Sequence, residues 1–216
     1  MLTDLLKWAG KRPDQPPGFV PAAARPADEP VMVSKAFPKF LSLLAPRESP
    51  LLLDFGPVVG GNVEFYGERL GCKLFIEDLI GEVDRHTRAG TIGQLAESFK
   101  TRFRHADASV DGILCWDLFD FLDKASVQAL AQQIVRMLRP GGAVMGLFCT
   151  SSVERSTYTK FEIVDEKNLR CRHHNGVGGP RRALQNRDII RMFEGLTVSD
   201  SFLLKNNTRE MLLRRS

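Results

Sequence analysis

Short apolar runs alternate with amphipathic segments along most of this chain. Residues 51–55 and 111–116 are apolar runs of the length of a buried strand, and residues 126–138 carry apolar side chains at helical spacing. The same pattern predicts strands at 51–55, 72–76, 111–116, 143–149, 197–204 and 210–214, and helices at 62–70, 94–103, 126–138 and 186–194. A further helix is predicted around Phe37, with Ser34 as its N-cap. This alternation indicates an α/β fold with a mostly parallel sheet.

The last two predicted strands are separated by the polar residues 205–208. A turn of that length joins only antiparallel neighbours, because a parallel pair needs a crossover of about a dozen residues or more. The chain is therefore predicted to end in an antiparallel hairpin. Residues 79–103 hold the predicted helix 94–103 but no clear strand.

Prolines divide the chain into two parts. Six of the 12 prolines lie within residues 11–30, where they block helix formation and predict an extended arm. We assign residues 1–30 to this arm and residues 31–216 to a single domain. A chain of 216 residues with 43% hydrophobic content is long enough to bury one substantial core.

Composition and charge narrow the classes of function. The net charge of +4 is spread along the chain without an aromatic-interleaved basic stripe, which disfavours nucleic acid as a partner. The sequence contains no apolar stretch of about 18 residues, so no membrane-spanning helix is predicted. The cysteines Cys72, Cys115, Cys149 and Cys171 are widely spaced, which is typical of reduced, buried thiols rather than of disulfides or a metal site. We expect a cytoplasmic protein without a metal centre.

The most informative motif is a glycine-containing turn after the strand 51–55. Asp54 lies near the end of that strand, Gly56 and Gly60 lie in the turn, and Glu77 follows the next predicted strand. Glycines let a ligand approach the backbone closely, and an acid after the second strand can accept hydrogen bonds from ribose hydroxyls. A nucleotide-like ligand needs this order of parts.

Four blocks in this order resemble the class I S-adenosylmethionine-dependent methyltransferases, in particular those of type 11. They are the turn with its following acid, residues 111–117, the turn 138–142 and the C-terminal hairpin, so the resemblance runs over about residues 51–214, most of the chain. The resemblance implies a Rossmann-like sheet of seven strands with helices on both faces. It also implies S-adenosylmethionine as cofactor and a small-molecule methyl acceptor. Val58 stands where the family motif has its middle glycine.

The resemblance further implies roles for individual residues. Asp117 would face the acceptor, and Asp78 is the alternative to Glu77 for the ribose. The implied cofactor contacts are Asp54, Gly56, Pro57, Gly60, Glu77, Asp78 and Trp116. No catalytic residue is assigned, because methyl transfer depends on positioning the two partners and excluding water. Phe121 stands near the position where many small-molecule enzymes of the family carry a histidine.

A pair of histidines follows a predicted hairpin, residues 158–172, in the segment between the strand 143–149 and the helix 186–194. His173 and His174 are candidate substrate contacts, since the family usually carries its substrate-recognition elements there, and a histidine there could be a general base. The alternative is that both belong to a polar loop. We expect residues 158–182 to form a wall or lid over the acceptor pocket.

Three functions remain open from the sequence. The first is a methyltransferase acting on a small molecule. The second is a methyltransferase-fold protein without catalysis, acting as a binding or regulatory subunit, which Val58, the missing histidine near Phe121 and the unclear third strand favour. The third is a nucleotide-dependent oxidoreductase, which the turn 138–142 and the terminal hairpin disfavour. The acceptor and the oligomeric state are not specified.

Overall fold

The computed structural model describes residues 29–152, 157–175 and 181–216, which form two β-sheets and six α-helices. The strands are β1 (Val31–Val33), β2 (Leu51–Asp54), β3 (Lys73–Ile76), β4 (Val110–Trp116), β5 (Leu138–Cys149), β6 (Thr157–Ile163), β7 (Asn168–Asn175), β8 (Thr197–Leu203) and β9 (Thr208–Arg214). The helices are α1 (Phe37–Leu44), α2 (Gly60–Glu64), α3 (Leu79–Arg88), α4 (Leu95–Arg102), α5 (Lys124–Met137) and α6 (Asn186–Met192). A π-helical turn, Phe65–Arg69, continues α2.

The central sheet has the strand order β3-β2-β4-β5-β9-β8. Strands β3, β2, β4 and β5 pair in parallel, whereas β9 is antiparallel to both β5 and β8. The predicted Rossmann-like α/β fold, with a mostly parallel sheet and an antiparallel C-terminal hairpin, is therefore confirmed.

The number of strands differs from the prediction. Among the described residues the central sheet has six strands rather than seven. The segment between β3 and β4 forms α3 and α4 instead of a further strand. The reason is the helical spacing of the buried side chains of α3, Leu79, Ile80 and Val83, which pack into the core together with Leu95 and Phe99 of α4.

Alternating side chains of the central sheet divide the core into two layers. Leu53 and Ile113 belong to the layer that contains α3, α4, α5 and α6. Leu52 and Leu114 belong to the layer that contains α1 and the π-helical turn. Since successive side chains of a strand point to opposite faces, both faces are covered by helices, as predicted.

A second sheet, in the order β1-β7-β6, packs on the face that carries α1 and α2. Its inner side chains, Phe161 and Cys171 among them, join the apolar cluster of Phe37. The side chain of Asn62 in α2 covers the outer edge of β6. Its Nδ2 donates to Phe161 O and its Oδ1 accepts from Ile163 N, both at 2.8 Å. The second sheet is therefore fastened to the helix that follows the glycine turn.

The predicted arm lies almost wholly outside the described residues. Its last two residues are described, and both contact β7. Pro30 O accepts a hydrogen bond from Cys171 N at 2.8 Å, and Glu29 pairs with Arg172 at 2.8 Å. All four cysteines of the chain are free and buried.

Candidate active site

The parallel strands β2, β3 and β4 end at the same edge of the central sheet. After β2 the chain crosses to β3 on one side, and it later returns to β4 on the other side of β2. Ligands of open α/β sheets bind in the crevice at such a reversal of strand order. Asp54 ends β2, Glu77 follows β3, and Trp116 and Asp117 stand at the end of β4. The fold therefore brings these four predicted residues to one edge.

Asp54 is buried at the centre of this edge. Its Oδ1 accepts hydrogen bonds from Gly56 N at 2.8 Å and from Trp116 Nε1 at 2.6 Å. Burial raises the pKa of Asp54 to about 6, and the two hydrogen bonds oppose that rise. Burial, followed by the charge of Asp54, also raises the pKa of Tyr66 well above its ordinary value. The buried Tyr66 hydroxyl has no hydrogen-bond partner among the described residues, so a donor lies near Asp54 without an acceptor.

The glycine turn needs a glycine at only one of its two predicted positions. A Cβ atom on Gly56 would lie 2.7 Å from Trp116 Cδ1, so the indole packs directly on the turn. A Cβ atom on Gly60, which begins α2, would meet no atom within 4 Å among the described residues. Val58 is 62% exposed and does not adopt the left-handed backbone, so this position accommodates a β-branched residue without left-handed strain. Pro57 is half-buried in the same turn.

Glu77 forms a salt bridge with an arginine that the sequence motifs do not indicate. Arg102, the last residue of α4, donates from Nε to Glu77 Oε2 at 3.1 Å and from Nη2 to Glu77 O at 2.7 Å. The guanidinium also pairs with the buried Glu82, which accepts a hydrogen bond from Ser98 Oγ at 2.6 Å. Nothing in the local sequence around Arg102 indicates these contacts, because they join residues on different elements.

Asp78 serves the backbone of α3. Its Oδ1 accepts from Gly81 N at 3.1 Å, and its own φ of +41° lies in the left-handed region. It is exposed, unlike Glu77. Of the two acids after β3, Glu77 therefore remains the better candidate for a ligand contact, since the Asp78 carboxylate already caps a helix.

Asp117 belongs to a buried charged cluster with Asp120 and Arg181. Arg181 Nη2 lies 2.5 Å from Asp120 Oδ2 and 3.1 Å from Asp117 Oδ2. Asp120 also accepts hydrogen bonds from Cys149 N, whereas Asp117 Oδ2 has no hydrogen-bond partner among the described residues. The guanidinium of Arg181 lies 5.3 Å from the centre of the Phe121 ring. Asp117, which follows β4, is thus a buried carboxylate whose charge is neutralised by Arg181 but whose oxygens are only partly hydrogen-bonded.

Burial raises the pKa of Asp117 from 3.8 to about 7, Arg181 opposes the rise and Asp120 adds to it. Between about pH 4 and pH 7 the Asp117 carboxyl keeps its proton in the folded protein but loses it in the unfolded chain. The stability that Asp117 contributes is therefore fully present below about pH 4 and is lost as the pH rises to about 7. We predict that Asp117→Asn flattens this fall. Urea unfolding at intervals between pH 4 and pH 8 measures it, and equal pH slopes for the parent and Asp117→Asn would contradict the prediction.

The predicted histidine pair is split between the two faces of the second sheet. His173 and His174 are neighbours in β7, so their side chains point in opposite directions. His173 Nδ1 lies 3.3 Å from Thr159 Oγ1, on the inner face, whereas His174 stacks on Tyr158 on the outer face. His173 is exposed and His174 is half-buried, and burial lowers the pKa of His174. Only His173 lies on the face that packs against the central sheet, so the two do not form one site.

A groove of about 900 Å³ lies between α5 and α6. Val127, Gln128, Leu184, Asp188 and Met192 are among the residues that line it. None of the ten predicted site residues lines this groove, so it is separate from the edge at which the strands β2, β3 and β4 end.

Residues 29–152, 157–175 and 181–216 contain no group of three or more His, Cys, Asp or Glu side chains that could hold a metal ion. No helix in those ranges has both the length and the apolar character needed to cross a membrane.

No protein-family model matches this chain, and no curated protein is similar to it in sequence. Similar solved structures exist. A 1,6-didemethyltoxoflavin-N1-methyltransferase from Burkholderia thailandensis, solved with that compound and S-adenosylhomocysteine bound, has a TM-score of 0.50 at 15% identity, over 84% of this chain and 79% of that one. The glycopeptide N-methyltransferase MtfA, solved with S-adenosylmethionine, has a TM-score of 0.49 at 14% identity, over 93% of this chain and 100% of that one. CcbJ of Streptomyces caelestis has a TM-score of 0.49 at 14% identity, over 83% and 93%.

At such low sequence identities, similar structures show only that the folds are alike. The comparison that supports this is with the Burkholderia thailandensis enzyme, whose TM-score is the highest of the three. This likeness, taken together with this chain's own strand order β3-β2-β4-β5-β9-β8 and its antiparallel hairpin of β8 and β9, leads to one conclusion. This chain has the fold of the class I S-adenosylmethionine-dependent methyltransferases.

Proposed function

We propose that this protein is an S-adenosylmethionine-dependent methyltransferase that acts on a small molecule. The observation that carries the proposal is the meeting of Asp54, Glu77 and Asp117 at the crevice where the strand order reverses. A glycine turn lies beside that crevice, and Asp54 and Glu77 stand at the ends of the adjacent parallel strands β2 and β3. This is the arrangement in which an α/β sheet binds a nucleoside.

The residues fit this cofactor in type and in place. Glu77 would accept hydrogen bonds from the ribose hydroxyls, and the turn from Asp54 to Gly60 would lie along the methionine part, with Pro57 beside it. The Tyr66 hydroxyl, which has no hydrogen-bond partner in the part of the chain that the structure describes, and the open space that those residues leave at Gly60 support a ligand at this turn. When bound, S-adenosylmethionine supplies an electrophilic methyl group.

Asp117 is our candidate for holding the proton that a hydroxyl or amine acceptor loses. Its Oδ2 is buried and has no hydrogen-bond partner among the described residues, and a pKa of about 7 lets the carboxyl exchange a proton near neutral pH. Arg181 keeps the deprotonated form from being an isolated buried charge. The protein would otherwise act by positioning the two partners and excluding water.

The second sheet is our candidate for the wall of the acceptor pocket. Its residue Phe161 stacks on Trp116 at 5.2 Å between ring centres, which brings the sheet to the end of β4. His173 faces the same side of the sheet and remains a candidate substrate contact, whereas His174 lies on the other side. Residues 176–180, which would complete the predicted lid, lie outside the described residues. The Burkholderia thailandensis enzyme is solved with 1,6-didemethyltoxoflavin bound, which supports a small-molecule substrate here.

A specific observation favours a second function, a binding or regulatory protein with this fold but no catalysis. Trp116 already donates to Asp54, and Arg102 already pairs with Glu77, so the chain's own donors engage both cofactor acids. The two functions differ in the consequence of cofactor binding. An enzyme converts an acceptor and releases S-adenosylhomocysteine, whereas a binding protein retains S-adenosylmethionine unchanged.

Glu77→Ala is expected to weaken S-adenosylhomocysteine binding by about 1.5–3 kcal/mol, roughly 10- to 150-fold, because it removes a charged acceptor of hydrogen bonds. Isothermal titration measures this, with NAD and NADP as comparison ligands. Asp78→Asn is the matched control, since asparagine also caps helices and Asp78 is not expected to touch the ribose.

Two results would count against this assignment. Unchanged affinity in Glu77→Ala would remove Glu77 as the ribose acid, and a loss confined to Asp78→Asn would transfer that role to Asp78. Because Glu77 also pairs with Arg102, thermal unfolding of each variant separates a folding defect from a binding defect.

A further inference from the structure

The crevice between the ends of β2 and β4 is crossed by a side chain of this protein. Trp116 ends β4, and its indole Nε1 donates to Asp54 Oδ1, at the end of β2, over 2.6 Å. The indole also lies so close to Gly56 that a single added carbon would collide with it. Trp116 therefore occupies the space beside Gly56 and one of the two carboxylate oxygens of Asp54, Oδ1.

The backbone of Trp116 is in an uncommon conformation. Its φ of +48° lies in the left-handed region, which bulky residues rarely adopt because Cβ approaches the neighbouring carbonyl. Residues held in this way tend to cluster at functional sites, where the surrounding contacts maintain the strain. A rearrangement at the end of β4 would relieve it.

Aromatic packing keeps the indole over the crevice. Trp116 stacks on Phe161 with an interplanar angle of 10°, and its ring centre lies 6.4 Å from that of Phe37. Phe161 is held in turn through its backbone, since Asn62 of α2 donates to its carbonyl oxygen. Only 4% of Trp116 is exposed. The position of the indole is thus determined jointly by the central sheet, the second sheet and the helix after the glycine turn.

We propose that Trp116 controls access to the cofactor crevice: the indole must leave Asp54 before a ligand can contact Asp54 and the turn at Gly56. This inference rests on the proposed function. A ligand that binds only the open form has an apparent affinity reduced by the small fraction of molecules in that form. Weakening the closed form therefore tightens binding.

The first measurement follows the emission of Trp116 itself. The chain has two tryptophans, Trp8 and Trp116, so Trp8→Phe leaves Trp116 as the only indole. Adding S-adenosylhomocysteine to this protein should shift the emission maximum to longer wavelength and increase quenching by acrylamide, because a buried, stacked indole becomes exposed.

The second measurement compares affinities by isothermal titration. Trp116→Phe keeps a ring against Phe161 but cannot donate to Asp54, so it should bind S-adenosylhomocysteine about 10-fold more tightly than the parent. Trp116→Ala, which removes the ring as well, should bind at least as tightly as Trp116→Phe. Phe37→Leu is the matched control, since Phe37 touches the same cluster but is not hydrogen-bonded to Asp54, and its affinity should equal that of the parent.

Separate outcomes test the inference and the function on which it rests. An unmoved emission maximum on binding, or a Trp116→Phe protein that binds no more tightly than the parent, overturns the role of Trp116 while the methyltransferase proposal stands. Failure of the parent and of every Trp116 variant to bind either S-adenosylmethionine or S-adenosylhomocysteine rejects the proposed function, and the inference falls with it. The emission measurement uses the intact Trp116 side chain and so does not depend on the folding of Trp116→Ala.

Discussion

Replacing Arg181 with alanine is expected to destabilise the folded protein by about 3–5 kcal/mol near pH 8, because it leaves buried carboxylates without their cation. Asp120 is fully buried, Asp117 is 2% exposed, and Arg181 Nη2 lies within 3.1 Å of both. At pH 5 the loss should be smaller, since burial raises the pKa of both carboxyls and each can then take up a proton. Urea unfolding at the two pH values measures the effect.

The matched variant is Arg181→Lys. Lysine retains the positive charge but lacks the planar guanidinium that reaches both carboxylates. The unfolding free energy of Arg181→Lys should therefore lie between those of the parent and of Arg181→Ala. Equal unfolding free energies for the parent and Arg181→Ala at pH 8 would show that this cluster does not stabilise the fold. A loss that is the same at pH 5 and pH 8 would show that the effect is one of packing, not of charge.

Asn62→Ala is expected to destabilise the protein by about 2–5 kcal/mol. The change leaves the carbonyl of Phe161 and the amide of Ile163 without their partner at the edge of β6, and each unpaired buried backbone group costs about 1–3 kcal/mol. The effect should be local as well as global. In hydrogen exchange the amide of Ile163 should lose protection first, because its hydrogen bond is removed directly.

Asn168→Ala is the control for this prediction. Asn168 lies on the same hairpin and donates from Nδ2 to Asp165 at 2.7 Å, but in a partly exposed turn. Its replacement should cost only about 0.5–1.5 kcal/mol. Similar losses from Asn62→Ala and Asn168→Ala would mean that the bridge between α2 and the second sheet contributes no more than an ordinary turn contact.

These variants also bear on how the two halves of the site are joined. Asn62 follows the glycine turn and holds the carbonyl of Phe161, whose ring packs on Trp116, which in turn donates to Asp54. A change in the second sheet is thereby linked to the cofactor crevice through direct contacts. Weaker S-adenosylhomocysteine binding in a folded Asn62→Ala protein would show that the link is functional.

Much of the fold follows from patterns that are local in the sequence. Apolar runs mark β2 and β4, and the short polar turn between β8 and β9 requires an antiparallel hairpin. The acids Asp54, Glu77 and Asp117 were found because the ends of parallel strands share an edge whatever the remaining contacts are. The count of seven strands came from the family resemblance, whereas residues 79–103 showed no clear strand in the sequence and form α3 and α4 in the structure.

The histidine pair shows where local patterns were insufficient. The sequence indicated a hairpin but ended it before His173, whereas β7 runs on to Asn175. Once a strand includes both histidines, the alternation of side chains places them on opposite faces. The strand boundary, which depends on pairing with β6, therefore decides whether the two can act together.

The sequence by itself determined the α/β class, the terminal hairpin and the row of acids after the parallel strands, because each follows from periodicity or from turn length. Only the tertiary structure decided the partners of those acids: Trp116 for Asp54, Arg102 for Glu77 and Arg181 for Asp117. The residues of each pair are 62, 25 and 64 positions apart, and no local pattern encodes contacts at such separations. They arise when burial removes water from a carboxylate, since the nearest donor of the folded chain must then replace it.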